Sequence, residues 1–128
     1  MLDIQQVSFA YPGHAPALKD VSLTVAAGDF IGLAGRNGSG KTTLTRIMVG
    51  LAKPVTGQVL LDGKNTIQCG PAVMARAIGY VFQNPDRQIF RDTVAQEVAF
   101  GPEQMDWSDN ERMQAVADAL RMTGLESV

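Results

Sequence analysis

The chain has 128 residues, 11 Lys plus Arg against 13 Asp plus Glu, a net charge of −2, and 45% hydrophobic against 19% charged residues, which is room for one globular domain and argues against disorder or a fibrous class. No apolar run is long enough to span a bilayer and the start (Met1, Leu2, Asp3) lacks a secretory pattern, so the expected compartment is the cytoplasm. Cys69 stands alone and His14 is the one histidine, which excludes an internal disulfide and a four-ligand zinc site, and the scattered basic residues form no polybasic stretch, so no nucleic acid is expected as partner.

Leu2–Phe9 is rich in strand formers with imperfect alternation, and Val21, Leu23 and Val25 alternate with Ser22, Thr24 and Ala26 as a half-buried strand does. Tyr11-Pro12-Gly13-His14 is the turn between them. Phe30-Ile31-Gly32-Leu33-Ala34 is a continuous apolar run that reads as a strand buried on both faces. From Lys41 the period changes: Leu44, Ile47, Met48 and Leu51 share one helical face, and Pro54 ends the helix from beyond. Val55–Asp62 returns to strand character with Asp62-Gly63 as its turn, Pro71–Arg76 suits a short helix, and Ile78–Phe82 is a further apolar strand. Beyond Thr93 the pattern is helical. Ser108 with Glu111 is a capping box, Met113, Val116, Ala117 and Leu120 form a face, and Gly124 is a stop.

Between the apolar run and the first helix stands Gly35-Arg36-Asn37-Gly38-Ser39-Gly40-Lys41-Thr42-Thr43, which fits G-x-x-x-x-G-K-[ST] in the strand–loop–helix context that the motif requires. Gly35, Gly38 and Gly40 let the backbone curl so that N–H groups, Asn37 and Ser39 among them, can face phosphate oxygens, and the helix N-terminus adds positive partial charge. Lys41 is a point charge for the β- and γ-phosphates. The Thr42 hydroxyl suits one position of an octahedral Mg²⁺, and Thr43 can donate to an α-phosphate oxygen. A nucleotide with Mg²⁺ is the expected ligand.

The loop spelling resembles that of the ATP-binding cassette (ABC) ATPases, Gly-Pro-Asn-Gly-Ser-Gly-Lys-Ser-Thr, with Arg36 in place of proline. The resemblance implies that the nucleotide is ATP and that Tyr11, in Val7-Ser8-Phe9-Ala10-Tyr11, stacks on adenine. It also implies that Gln83, after Ile78–Phe82, is the glutamine that reaches the Mg²⁺ shell or orients the attacking water, a catalytic role shared with Lys41. Phe82-Gln83-Asn84-Pro85-Asp86-Arg87-Gln88-Ile89-Phe90, followed by Thr93-Val94 and Glu97–Glu103, is similar to the ATPase subunits of energy-coupling-factor and cobalt-type importers. That likeness implies an ATPase on the cytoplasmic side of the membrane that pairs with a second ATPase subunit and drives uptake of a metal ion or vitamin. Its membrane partner would seat near Gln88, Ile89 and Phe90.

The implied fold class is α/β: a phosphate-loop NTPase core of the ABC type with an N-terminal antiparallel β part and the start of a helical subdomain. The core covers 1–92 and the partial helical subdomain 93–128. The family's Leu-Ser-Gly-Gly-Gln signature, its Asp-Glu strand and its switch histidine do not occur here, since Val59-Leu60-Leu61-Asp62 is followed by Gly63 and His14 precedes the loop. The chain therefore reads as truncated. Marginal stability and weak ATP affinity are expected of it in isolation, because Phe30–Ala34 would lack a neighbour. A nucleotide-binding module without turnover stays open as an alternative. A different phosphate-loop enzyme is disfavoured by the lack of an Asn-Lys-x-Asp guanine motif.

Overall fold

In the computed structural model, which describes residues 1–84 and 88–127, the chain opens with two long strands, β1 (Leu2–Ala10) and β2 (Pro16–Val25). They join β3 (Thr56–Leu61) and the short β4 (Lys64–Asn65) in one antiparallel sheet of order β2-β1-β3-β4. Register places Leu23, Ile4 and Val59 in one cross-strand row and Val25, Leu2 and Leu61 in the next, so each row puts apolar side chains on the same face.

The imperfect alternation of β1 has a geometric cause. Ile4 and Val7 are both buried although three positions apart, and a simple pleat would put them on opposite faces. The register advances three residues in β1 for two in β2 between these positions, with Gln6 at φ 49°. This bulge resets the phase, so that Val7 and Phe9 return to the inner face. The amide freed there finds a side chain: Ser22 Oγ accepts from the Gln6 amide at 3.0 Å. A second shift, between Val7 and Phe9, puts the extra residue in β2, where Asp20 has φ 48° and Ser8 Oγ accepts from its amide at 3.0 Å. Across the bulge Gly57 has φ 77°, and a Cβ on it would lie 2.3 Å from the Gln5 carbonyl oxygen and 2.4 Å from that of Gln6.

Helix α1 (Lys41–Met48) lays Leu44 and Ile47 on the sheet, where they complete a core with Ile4, Val7, Leu18 and Val59. The helix ends earlier than the apolar period suggests. Gly50 at φ 76° closes it, its N–H bonding to Ile47 O and that of Leu51 to Arg46 O, which is the Schellman arrangement. Leu51 is consequently half exposed, and Ala52 packs against the core instead. Asp62-Gly63 turns β3 into β4. There the Met1 ammonium donates to Asp62 Oδ1 at 2.6 Å and holds that carboxyl below its usual range. The pair's small contribution is present at neutral pH and is lost as pH falls through the lowered value. Asn65 caps α2 (Thr66–Cys69), and α3 (Pro71–Ala75) follows with Met74 buried.

Neither Phe30–Ala34 nor Ile78–Phe82 forms a strand, contrary to the sequence expectation, and Phe30 and Val81 are 101% and 85% exposed. Extended segments become strands through the ladder of a neighbour, and parallel strands cannot supply one through a tight hairpin. Among the described residues neither run has a ladder partner.

The chain divides into two units, Met1–Tyr80, described above, and Val81–Val128. The second holds α4 (Val94–Glu103), capped by Thr93, and α5 (Asp109–Thr123), which starts at the expected capping box of Ser108 and Glu111 and stops at Gly124 in the left-handed conformation. Bonds from Ser108 hold the Glu111 carboxyl below its ordinary pKa. Met113, Val116, Ala117 and Leu120 line a groove against Ala95 and Ala99 of α4. Among the described residues no helix is long and apolar enough to cross a membrane.

Gly57→Ala is expected to lower stability by about 2 kcal/mol or more, since the new methyl must move two backbone carbonyls. Denaturant unfolding of the full-length protein checks this, and an unchanged midpoint would show that the bulge tolerates a side chain.

Candidate nucleotide site

The site is built on the first turn of α1. Its N-cap, Gly40, carries no side-chain cap, and the first turn contains no acidic residue. The first intrahelical bond runs from the Leu44 amide to Gly40 O at 2.8 Å, so the amides before Leu44 have no acceptor within the helix. An eight-residue helix with an uncapped start concentrates donors and positive partial charge at one point, which favours an anion.

Gly40 fixes where that point lies. With φ 90°, it passes so close to the start of β2 that a Cβ would stand 2.6 Å from the Ala17 carbonyl oxygen and 2.9 Å from Leu18 Cδ2. The glycine requirement thus comes from packing against the sheet as well as from the turn. Ala17 and Leu18 support the candidate site, and no sequence pattern points to them, because the motif names the glycine and not what it touches.

Residues 35–39 are exposed. Lys41 folds back into this loop, its Nζ donating to Gly35 O at 2.7 Å and Arg36 O at 3.0 Å, with Ser39 Oγ at 3.5 Å. The ammonium is therefore held among carbonyls that offer partial charge only, and a phosphate oxygen is a stronger acceptor for it. Thr42 is exposed, whereas Thr43 is buried. The Tyr11 hydroxyl lies 3.0 Å from Thr43 Oγ1, and the Tyr11 ring meets Phe9 edge to face at 4.9 Å. Among the described residues no cluster of three His, Cys, Asp or Glu could hold a metal by itself. A Mg²⁺ that keeps waters and phosphate oxygens needs only one or two protein ligands, and the Thr42 hydroxyl fits that need.

Tyr11 and Gly35 to Thr43 are thus brought together within Met1–Tyr80. Gln83 belongs to the other unit, where it stands exposed at a bend. Of the residues expected to face a partner, Gln88 uses its Oε1 internally, accepting from the Phe82 amide at 3.3 Å. Ile89 and Phe90 are about three-fifths exposed (62% and 61%). The segment they sit on is tied to α4: Glu97 accepts from the Phe90 and Arg91 amides at 3.1 and 3.0 Å, Phe90 packs edge to face on Phe100, and Arg91 lies over both rings. Pro85, Asp86 and Arg87, which carried part of the importer resemblance, lie outside the described residues.

A glycine loop feeding an uncapped helix that opens with Lys41 and Thr42 is the phosphate-loop arrangement. The chain belongs to the ABC transporter family, whose sequence profile matches residues 18–128. It is 40% identical, over 99% of its length and 47% of the relative's, to the energy-coupling factor transporter ATP-binding protein EcfA of Syntrophomonas wolfei. Among solved structures it is similar to CbiO1 of Clostridium perfringens, part of an ABC transporter complex, with TM-score 0.82 and 34% identity over 98% of this chain and 51% of that one. It is also similar to an ATP-binding cassette solved as a dimer in a post-hydrolysis state with ADP and phosphate, with TM-score 0.79 and 28% identity over 99% and 59% of the two chains. The chain spans about half the length of the curated relatives it matches.

Gly40→Ala is expected to push α1 away from β2 and to weaken nucleotide binding by about tenfold or more, together with a lower unfolding midpoint. Calorimetric titration and a thermal melt measure the two effects; wild-type values for both would mean that the loop is not seated on Ala17.

Proposed function

We propose that these residues form the ATP-gripping part of the ATP-binding subunit of an ABC importer of the energy-coupling-factor or cobalt type, coupling ATP binding and hydrolysis to uptake of a metal ion or vitamin. The observation that carries the ATP reading is the uncapped start of α1 behind an exposed glycine loop, with Lys41 folded into that loop. In this reading Gly35, Asn37, Gly38, Ser39 and Gly40 line the phosphates with backbone, and Lys41 exchanges its loop carbonyls for β- and γ-phosphate oxygens. Thr42 takes one Mg²⁺ position, Thr43 donates to an α-phosphate oxygen, and Tyr11 offers its ring to adenine. Gln83 is assigned to the Mg²⁺ shell or to the attacking water. When bound, Mg²⁺ supplies charge neutralisation between the phosphate oxygens.

The relatives named EcfA and CbiO1 support the importer class, and the dimeric cassette supports pairing with a second ATPase subunit. Ile89 and Phe90, exposed on a segment braced by Glu97, suit an apolar seat for an integral membrane component, with Gln88 bracing the turn from within. The subunit then works at the cytoplasmic face of the membrane. We divide it functionally into a nucleotide core, 1–92, and a helical part, 93–128. A binding module without turnover is the second reading, since the glycine loop and the uncapped start of α1 account for binding alone.

In the full-length protein Lys41→Ala is expected to reduce ATP binding and hydrolysis by roughly a hundredfold or more. Gln83→Ala should keep binding and lose turnover by about tenfold or more. Titration with MgATP and a phosphate-release assay are the measurements. Wild-type binding by Lys41→Ala would refute the site, whereas tight binding with no phosphate release by the wild type would favour the second reading.

A further inference from the structure

Two threonine hydroxyls on α1 each meet a tyrosine hydroxyl: Thr43 Oγ1 is 3.0 Å from that of Tyr11, and Thr45 Oγ1 is 3.3 Å from that of Tyr80. The pairs differ in where the threonine's single hydrogen goes. Thr45 donates to the Thr42 carbonyl at 3.1 Å, which leaves its oxygen to accept from Tyr80. Thr43 has no such backbone acceptor among the described residues, and its side chain is bonded to Tyr11. Either hydroxyl can donate in the Tyr11–Thr43 pair, and the greater acidity of a phenol favours the arrangement in which the Tyr11 O–H donates and Thr43 Oγ1 accepts. The Thr43 hydrogen then remains uncommitted, on a residue 7% exposed in the turn where the helix amides lack acceptors.

We propose that the Tyr11 hydroxyl is a positioning group for phosphate recognition: it holds Thr43 Oγ1 as its acceptor and so turns the Thr43 hydrogen toward a phosphate oxygen of the bound nucleotide. This rests on the nucleotide reading above and adds to it, because it separates the two ends of one side chain. The Tyr11 ring serves the base, and its hydroxyl serves the phosphate through Thr43. The edge-to-face contact with Phe9 holds the ring in place, and a chain running from phenol to alcohol to anion is polarised in one direction.

The test is calorimetric titration of the full-length protein with ADP in the presence of Mg²⁺, and with adenosine by competition, for wild type, Tyr11→Phe, Thr43→Val, Thr43→Ser and the Tyr11→Phe/Thr43→Val double variant. Tyr11→Phe should weaken ADP binding by about three- to tenfold, the range of one neutral hydrogen bond, and leave adenosine unchanged. The double variant should bind ADP no more weakly than Thr43→Val alone, and Thr43→Ser should restore most of the loss. Unchanged or tighter ADP binding by Tyr11→Phe, equal losses for ADP and adenosine, or additive losses in the double variant would overturn the proposal. Should Thr43→Val fail to fold, the ADP-to-adenosine ratio of Tyr11→Phe decides alone. A wild-type protein that binds no nucleotide overturns the site reading and this inference together, whereas wild-type binding with an unchanged ratio overturns the inference alone.

Discussion

At Gly40 the backbone runs within contact distance of the first residues of β2, leaving no space for even a methyl group. Everything in the nucleotide site hangs on that approach. It sets the start of α1 at the edge of the antiparallel sheet, and the helix is then held by Leu44 and Ile47, which bury against Ile4, Val7, Leu18 and Val59. Each fully buried aliphatic side chain of this kind contributes about 1.5–3 kcal/mol. The exposed loop therefore gains its position from a buried anchor, and the first-turn amides of α1 start from a rigid base.

The sheet in turn depends on a bulge. Without the extra residue at Gln5-Gln6, either Leu2 and Ile4 or Val7 and Phe9 would face away from α1, and the core beneath the helix would lose half of one strand. Gly57 permits the bulge by having no side chain opposite it, and Ser22 of β2 satisfies the Gln6 amide that it displaces. The candidate phosphate loop and a bulge in β1 are thus parts of one packing solution.

Much of this was legible in the sequence, and the exceptions have physical causes. Strands β1 to β3, the helix from Lys41 and the capping box at Ser108 follow from periodicity and local chemistry, which act over a few residues. Leu51 misled because apolar spacing continues past Gly50, where the left-handed turn ends the helix. Phe30–Ala34 and Ile78–Phe82 read as strands because their residues suit a buried parallel ladder, but composition states a preference and only a neighbour makes a strand. For the candidate site, the motif points to Gly35 through Thr43 as one continuous stretch. The link from Tyr11 to Thr43 spans 32 positions, and no local pattern encodes such a distance. Nor could spacing reveal that Gln88 turns its amide inward while Ile89 and Phe90 stay exposed.

The family places this chain among ABC transporter ATP-binding proteins, and the arrangement of Gly40, Lys41, Thr42 and Thr43 explains in local terms why such a chain would grip a triphosphate: unsatisfied amides, a displaceable ammonium and two hydroxyls at one helix start. Hydrogen exchange of the full-length protein with and without MgADP addresses that claim directly. The account predicts slowed exchange confined mainly to the amides between Gly35 and Leu44, with the β4–α3 region unaffected. Nucleotide binding that left the amides of Gly38 to Thr43 exchanging at their free rates would contradict it.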